Sequence, residues 1–234
     1  YLTTSHLFEG CAMQTGMEGG RKRARTDEQK SLRRQSILDA AESLFREGGF
    51  EAFSMAKLAK LTGVVKGTLY LYFETREEVF LVLYNQSLVR WSEVLLDGLR
   101  VGMSDREYAA LFYETAMADD GYNPLLARLE QTIEHNISLQ SFVSSKRIVI
   151  DRFGKLAAKT AQVLNMELPE GSEVVSTLGV LLVGASRADQ APSFDRDLIP
   201  ADVLELLAEF SSRNLYTKNA LRIIEGIRRE SAGR

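Results

Sequence analysis

Residues 63–80 read Gly63-Val64-Val65-Lys66-Gly67-Thr68-Leu69-Tyr70-Leu71-Tyr72-Phe73-Glu74-Thr75-Arg76-Glu77-Glu78-Val79-Phe80. Thr62-Gly63 marks a sharp turn, because glycine takes the positive φ such a turn needs. Before it, Ser54 can cap a short helix over 55–61 with Met55, Leu58, Ala59 and Leu61 as its inward set. After it, a second short helix is predicted over 65–71, with Val64 and Leu69 facing inwards and Tyr70 a further candidate. Thr75 and Glu78 then form a capping box that opens a long helix. That helix runs through Val79, Phe80, Val82, Leu83, Leu88, Trp91, Val94 and Leu95 until Gly98 or Gly102. Two short helices around a tight turn are the plan of a helix-turn-helix DNA reader, since a major groove about 12 Å wide admits one helix. An αα-corner used only for packing has the same spacing.

Upstream, Arg21-Lys22-Arg23-Ala24-Arg25 is a compact basic arm. Thr26, with Gln29 three residues on, is a candidate cap for a first helix over 27–47. Ile37, Leu38, Ala41, Leu44 and Phe45 recur there at helical spacing, Gly48-Gly49 stops the run, and Phe50 and Phe53 are placed to pack against it. Residues 1–20 show no period and are expected to be disordered or expression-derived, with Cys11 inside them.

Charge divides the chain in the same place. The 234 residues carry a net charge of -3, yet residues 21–76 hold 12 basic and 7 acidic side chains while 77–234 hold 17 and 23. A basic N-terminal part joined to an acidic remainder points to a polyanion partner for the first; chance surface charge is the alternative. One cysteine excludes an intrachain disulfide framework, and two histidines leave little for a metal centre. No cofactor is implied, and no nucleophile triad or glycine-rich phosphate loop appears. Apolar runs fall short of the ~20 residues of a membrane span, so no membrane partner is expected.

The stretch 37–80 closely resembles the DNA-binding domain of the TetR family of transcriptional regulators. Residues 63–80 carry most of the likeness; Ala40-Ala41, Leu44-Phe45, Gly48, Gly49-Phe50, Ser54-Met55 and Leu58-Ala59 extend it. The resemblance implies that 65–71 is the recognition helix. Lys66, Gly67 and Leu71 then occupy positions that approach base edges, and Tyr70 and Tyr72 positions near bases or phosphate. Thr68 can donate its hydroxyl to phosphate. Arg76 stands where the family usually has lysine, with a fork suited to bidentate phosphate contact. Ser54, Lys57, Arg23 and Arg25 complete the candidate DNA-binding set. Val65 replaces the usual small capping residue, which leaves that helix end without a side-chain acceptor.

Beyond residue 80 only helical patterns follow, so the expected fold is all-α with about nine helices: a helix-turn-helix domain over 21–76 and a helical domain over 77–234. The expected helices cover 105–118 (capped by Ser104 with Glu107), 124–134, 138–165, 173–188 and 201–228, the last as one helix or a joined pair. Pro169 to Gly171 is read as a break and 189–200 as a loop. The resemblance implies that the second domain binds a small effector and forms a homodimer. Trp91, Tyr108, Phe112, Tyr113, Met117, His135, Phe142, Arg147 and Phe153 are the candidate pocket, an aromatic and thioether set suited to an apolar or aromatic effector. Leu178, Leu182, Gly184, Leu207 and Phe210 are the candidate dimer surface. The expected function is a cytoplasmic, non-enzymatic repressor that leaves a double-stranded DNA operator when effector binds, the long fourth helix alone carrying the signal. A helix-turn-helix protein acting architecturally, without effector, is the alternative.

Overall fold

The computed structural model describes residues 15–189 and 195–233, with side chains for 28–188, 195, 197–231 and 233. Helix α1 spans Thr15–Ala52. It begins well before Thr26, so that residue lies within the helix and does not cap it. Cys11 and the rest of the expected leader up to residue 14 lie outside the described residues, as do the side chains of Arg23 and Arg25. Gly49, at φ 64 and ψ -168, breaks the helical path where the glycine pair predicted a stop. The break turns Phe50 and Phe53 back onto Phe80, with ring centres 4.4 and 4.7 Å away, and Phe45 meets the same ring edge-on at 5.6 Å. Each such pair adds about 0.5–1.5 kcal/mol beyond burial, and together they seat α1 on the fourth helix.

Helix α2 spans Met55–Thr62 and is capped by Ser54 Oγ, which accepts from Lys57 N at 3.2 Å. Gly63 follows in the left-handed region at φ 67, the conformation that the turn required. Helix α3 is shorter than predicted, Lys66–Leu69, with Val65 as an uncapped start. Tyr70 to Tyr72 instead form tightened turns, Leu71 N donating to Thr68 O and Tyr72 N to Leu69 O. Buried Leu69 and Phe73 hold this segment to the core.

Helix α4 spans Arg76–Gly98, α5 Asp105–Ala118 and α6 Tyr122–Leu126. Ser104 and Glu107 form their predicted capping box. The predicted helix over 124–134 is three pieces: α6, a π-helical turn over Leu129–Ile133 and a 3-10 turn over Glu134–Asn136. Helix α7 spans Leu139–Leu164 and α8 Leu168–Ser186. Pro169 opens α8 where a break was expected, because its missing N–H costs nothing in the first turn. Gly171 is buried at the α7–α8 crossing, where a Cβ would stand 2.6 Å from Ala157 O. Helices α9, Ala201–Glu209, and α10, Ser212–Ala232, are the joined pair.

No strand occurs among the described residues, and the second domain is a bundle in which α7 packs on α8 and α4, and α10 on α8 and α5. By length and composition α8 could cross a membrane, which the sequence expectation missed. Here it lies between α7 and α10 with Val174, Val175, Leu178 and Leu182 buried.

Candidate nucleic-acid interface and ligand cavity

The face built from α2, α3 and the 70–72 turns presents Lys66 and Gly67 exposed at the start of α3, with Val65 and Leu71 78% and 83% exposed beside them. Nothing lies within 4 Å of a Cβ built at Gly67, so internal packing does not require a glycine there. Lys66 Nζ stands 5.9 Å from the Tyr70 ring centre, which steers the ammonium along the surface. Thr68 is half-buried, and Tyr72 shares a surface hollow with Gln29, Lys30 and Arg33 of α1. Exposed cations next to uncovered apolar groups suit a duplex, where phosphates meet the former and thymine methyls the latter.

Three members of the candidate set are engaged within the chain, Ser54 through its cap of α2. Lys57 Nζ donates to Ala52 O at 2.7 Å. Arg76 Nε and Nη2 both donate to Glu77 Oε1, at 3.1 and 3.0 Å, and its guanidinium lies 4.8 Å from the Phe50 ring centre. Bidentate phosphate contact by Arg76 requires that pair to open.

A cavity of about 600 Å³ lies between α4, α6, the π-helical turn, α7 and α8. Tyr84, Tyr122 and Leu129 form its buried wall. Of the nine predicted pocket residues only Phe153 lines it. Trp91 stands one layer behind, stacked on Tyr122 at 4.6 Å. Tyr108, Phe112 and Tyr113 are core: Tyr108 bonds Thr160, Tyr113 bonds Ser212, and Phe112 stacks on Tyr216. Phe142 is half-buried under Lys146; Met117, His135 and Arg147 are exposed and away from the lining. Helical periodicity marks which side chains turn inwards but not which inward ones face a void, which is why Tyr84 and Tyr122 were missed. Both are tyrosines on inward faces, and a polar tip on a core position was the available signal.

Burial, with Glu134 and Glu130 nearby, pushes the Tyr84 hydroxyl well above its ordinary range; burial, Tyr84 and Asp119 do the same for Tyr122. Both therefore stay neutral hydrogen-bonding groups at the cavity wall. Lys146 Nζ lies 2.7 Å from Glu134 Oε1 at the rim, a contact of charges without the alignment of a directed hydrogen bond.

Cavity and helix-turn-helix face are joined by more than α4. Thr75 Oγ1 accepts from Glu78 N at 3.1 Å, capping α4, and donates to Asn136 O at 2.9 Å. Glu78 accepts from Glu74 N at 2.9 Å and from Ser141 Oγ at 3.1 Å, so its carboxylate binds α7 and not, as a capping box would, the cap's own N–H. Arg128 lies 5.2 Å from the Phe50 ring centre, while its neighbours Ala127 and Leu129 line the cavity. Arg90 donates to Glu42 of α1 at 2.9 Å and to Asp119 at 3.3 Å. The segment 126–141 thus touches the cavity on one side and the helix-turn-helix part on the other, which corrects the expectation that α4 is the sole link.

Two family models match in tandem: the bacterial regulatory proteins of the tetR family over residues 37–83, and the tetracyclin repressor-like C-terminal domain over 85–227. The chain belongs to the TetR family. Its helix-turn-helix and all-α architecture are those of the family's transcriptional regulators. This TetR-family chain is 30% identical over 83 residues to a fatty acid metabolism regulator protein of Bacillus subtilis, covering 36% of this chain and 43% of that protein. It is 23% identical over 206 residues to the transcriptional repressor BepR of Brucella suis, covering 86% and 88%. A solved structure assigned to the family, from Shewanella sp. PV-4, shares the fold at a TM-score of 0.50 with 17% identity, covering 82% and 95%. For the first relatives matched, the alignment spans less than half of their length.

Proposed function

We propose that the chain is a cytoplasmic, homodimeric repressor that leaves a palindromic operator when a small apolar or aromatic effector fills the cavity between α4, α7 and α8. In this reading residues 21–76 read DNA through Lys66, Gly67 and Leu71, with Thr68 at phosphate and Tyr70 and Tyr72 at bases or phosphate, and the remainder binds effector and partner. Two recognition helices would then sit about 34 Å apart, one turn of DNA, or a small multiple of that. The observation that carries the reading is the double connection of the cavity wall: the segment 126–141 lines or flanks the cavity and also bonds Thr75, Glu78 and Phe50. Filling the cavity displaces that segment, and the bonds at Thr75 and Glu78 pass the displacement to the start of α4, next to the reading helix. This is a coupling between two distinct sites through contacts that differ between states.

Selection of bound duplexes from a random pool tests the first half, and titration of the selected duplex with apolar and aromatic compounds tests the second. A two-fold symmetric site whose affinity falls with compound supports the reading. A site that no compound affects favours architectural binding without effector.

A further inference from the structure

The buried tyrosines of the second domain divide by what their hydroxyls do. Tyr108 Oη pairs with Thr160 Oγ1 at 2.7 Å and Tyr113 Oη pairs with Ser212 Oγ, so both are engaged inside the core. Tyr84 and Tyr122 are each 3% exposed and line the cavity, yet neither hydroxyl has a hydrogen-bond partner among the described residues. Tyr216 Oη is unpaired as well, but protein encloses it completely. The hydroxyls of Tyr84 and Tyr122 are not enclosed in that way, and the open space their residues meet is the cavity. A polar group left unpaired at a buried wall is destabilising until something pairs with it.

Charge and field indicate what that partner is. Lys146 and Glu134 hold each other at 2.7 Å. The remaining charged lining residues, Glu130 and Arg187, are one of each sign, with no ion-pair partner among the described residues. A net charge on the occupant would meet both signs and gain little, so a neutral compound fits. Glu134 and Glu130 lie near enough to push the Tyr84 hydroxyl, already raised by burial, further above its ordinary range. Their field draws the phenolic hydrogen towards them and leaves the oxygen lone pairs for a donor from the cavity. Tyr122 lies alongside, its ring 6.3 Å from that of Tyr84 and within 14° of parallel. A ligand hydroxyl is donor and acceptor at once and can pair with both tyrosines, whereas an ether only accepts. The rest of the wall is an apolar seat for a ring system, with Leu126, Leu129, Val149 and Phe153 facing Val180 and Val183 of α8. Leu178 and Leu182 of the same helix, both expected on a dimer surface, are wholly buried within the chain.

We propose that the cavity binds a neutral phenol whose hydroxyl bridges Tyr84 and Tyr122, and that these two residues set which aromatic compounds it accepts. The proposal rests on the effector reading above and narrows it from any apolar or aromatic compound to one that carries a hydroxyl. Selectivity follows because an analogue lacking the group leaves both tyrosines unpaired, which a site built to hydrogen-bond its ligand penalises.

The test uses the full chain and three probes of one shape: 4-phenylphenol, biphenyl and 4-methoxybiphenyl, with affinities from equilibrium dialysis. Water solvates the phenol better than the hydrocarbon, so transfer to an apolar cavity alone would favour biphenyl. We expect 4-phenylphenol to bind about tenfold or more tightly than the other two, the worth of one to two hydrogen bonds. Tyr84→Phe and Tyr122→Phe each remove one hydroxyl and keep the ring, and each should lower that ratio about fivefold. In the double variant the ratio should fall to about one, with circular dichroism confirming the fold. Equal binding of 4-phenylphenol and biphenyl by the parent chain overturns the proposal, and so does a preference that survives in the double variant. Tighter binding of biphenyl-4-carboxylate or of 4-(aminomethyl)biphenyl than of 4-phenylphenol overturns the neutral class. Operator titration with the same probes separates this from the effector reading. Release by biphenyl and 4-phenylphenol at equal affinity keeps the effector reading and removes the tyrosine subsite. The expected preference without any change in operator affinity keeps the subsite and overturns the effector reading, while no binding by any of these probes overturns both.

Discussion

Thr75 joins the two halves of the proposed switch, and replacing it by valine isolates one hydroxyl. Valine keeps the β-branched shape, so packing changes little. Two bonds are lost: the cap acceptor for Glu78 N at 3.1 Å and the donor to Asn136 O at 2.9 Å. Loss of a threonine cap costs about 1 kcal/mol, and a net hydrogen bond about 1 kcal/mol more. The expected destabilisation is therefore about 2 kcal/mol, or roughly 4–8 °C in Tm for a chain of this size. Thr75→Ser retains both bonds and should lie within about 0.5 kcal/mol of the parent. Denaturant unfolding of the three proteins measures this, and operator titration with and without effector measures the coupling. The valine variant should bind effector with near-parental affinity but transmit less of it, the ratio of operator affinities shrinking towards one. If valine and serine variants are equally stable and equally responsive, the Thr75–Asn136 bond carries neither cap nor signal, and the path through 126–141 is wrong.

Three further outcomes are expected. Lys66→Ala should weaken operator binding and reduce the slope of log affinity against log salt by about one contact if the ammonium meets phosphate, or relax preference at a single base pair if it meets guanine; unchanged binding removes it from the interface. Trp91 emission should shift as the cavity fills, through its stack on Tyr122, while Trp91→Phe should respond to effector normally, since the indole N–H has no hydrogen-bond partner to lose; a silent tryptophan at saturating effector would remove Tyr122 from the occupied wall. Burial raises the hydroxyls of Tyr84, Tyr108, Tyr122 and Tyr216 in the folded chain. Below about pH 10 both states are protonated, and above it the unfolded chain loses protons that the folded one keeps. Stability should therefore decline from pH 10 upwards, by up to about 1.4 kcal/mol per tyrosine per pH unit, and phenolate absorbance of the folded chain should show these groups silent until it unfolds.

Local signals were legible wherever the cause is local. Ser54, Gly63 and the Ser104–Glu107 box act within four residues of themselves, and each does what its position predicts. The same holds for the break at Gly49 and the inward set around Phe80, which periodicity reveals because a helix repeats every 3.6 residues. The sequence by itself therefore determined the helix-turn-helix and the all-α class. Where one residue must satisfy several neighbours at once, the tertiary structure decided. Pro169 opens a helix instead of ending one, because α8 closes on α7 over Gly171 and needs an early start. The stretch 124–134 gives up a regular helix for a π-helical turn, its backbone shaped between the cavity and the reading domain. Aromatic residues were assigned to the cavity by type, yet Trp91, Tyr108 and Phe112 fill the core while Tyr84 and Tyr122 face the void. A void is a property of the space between four helices, set by how closely each pair packs, and no single helix encodes it.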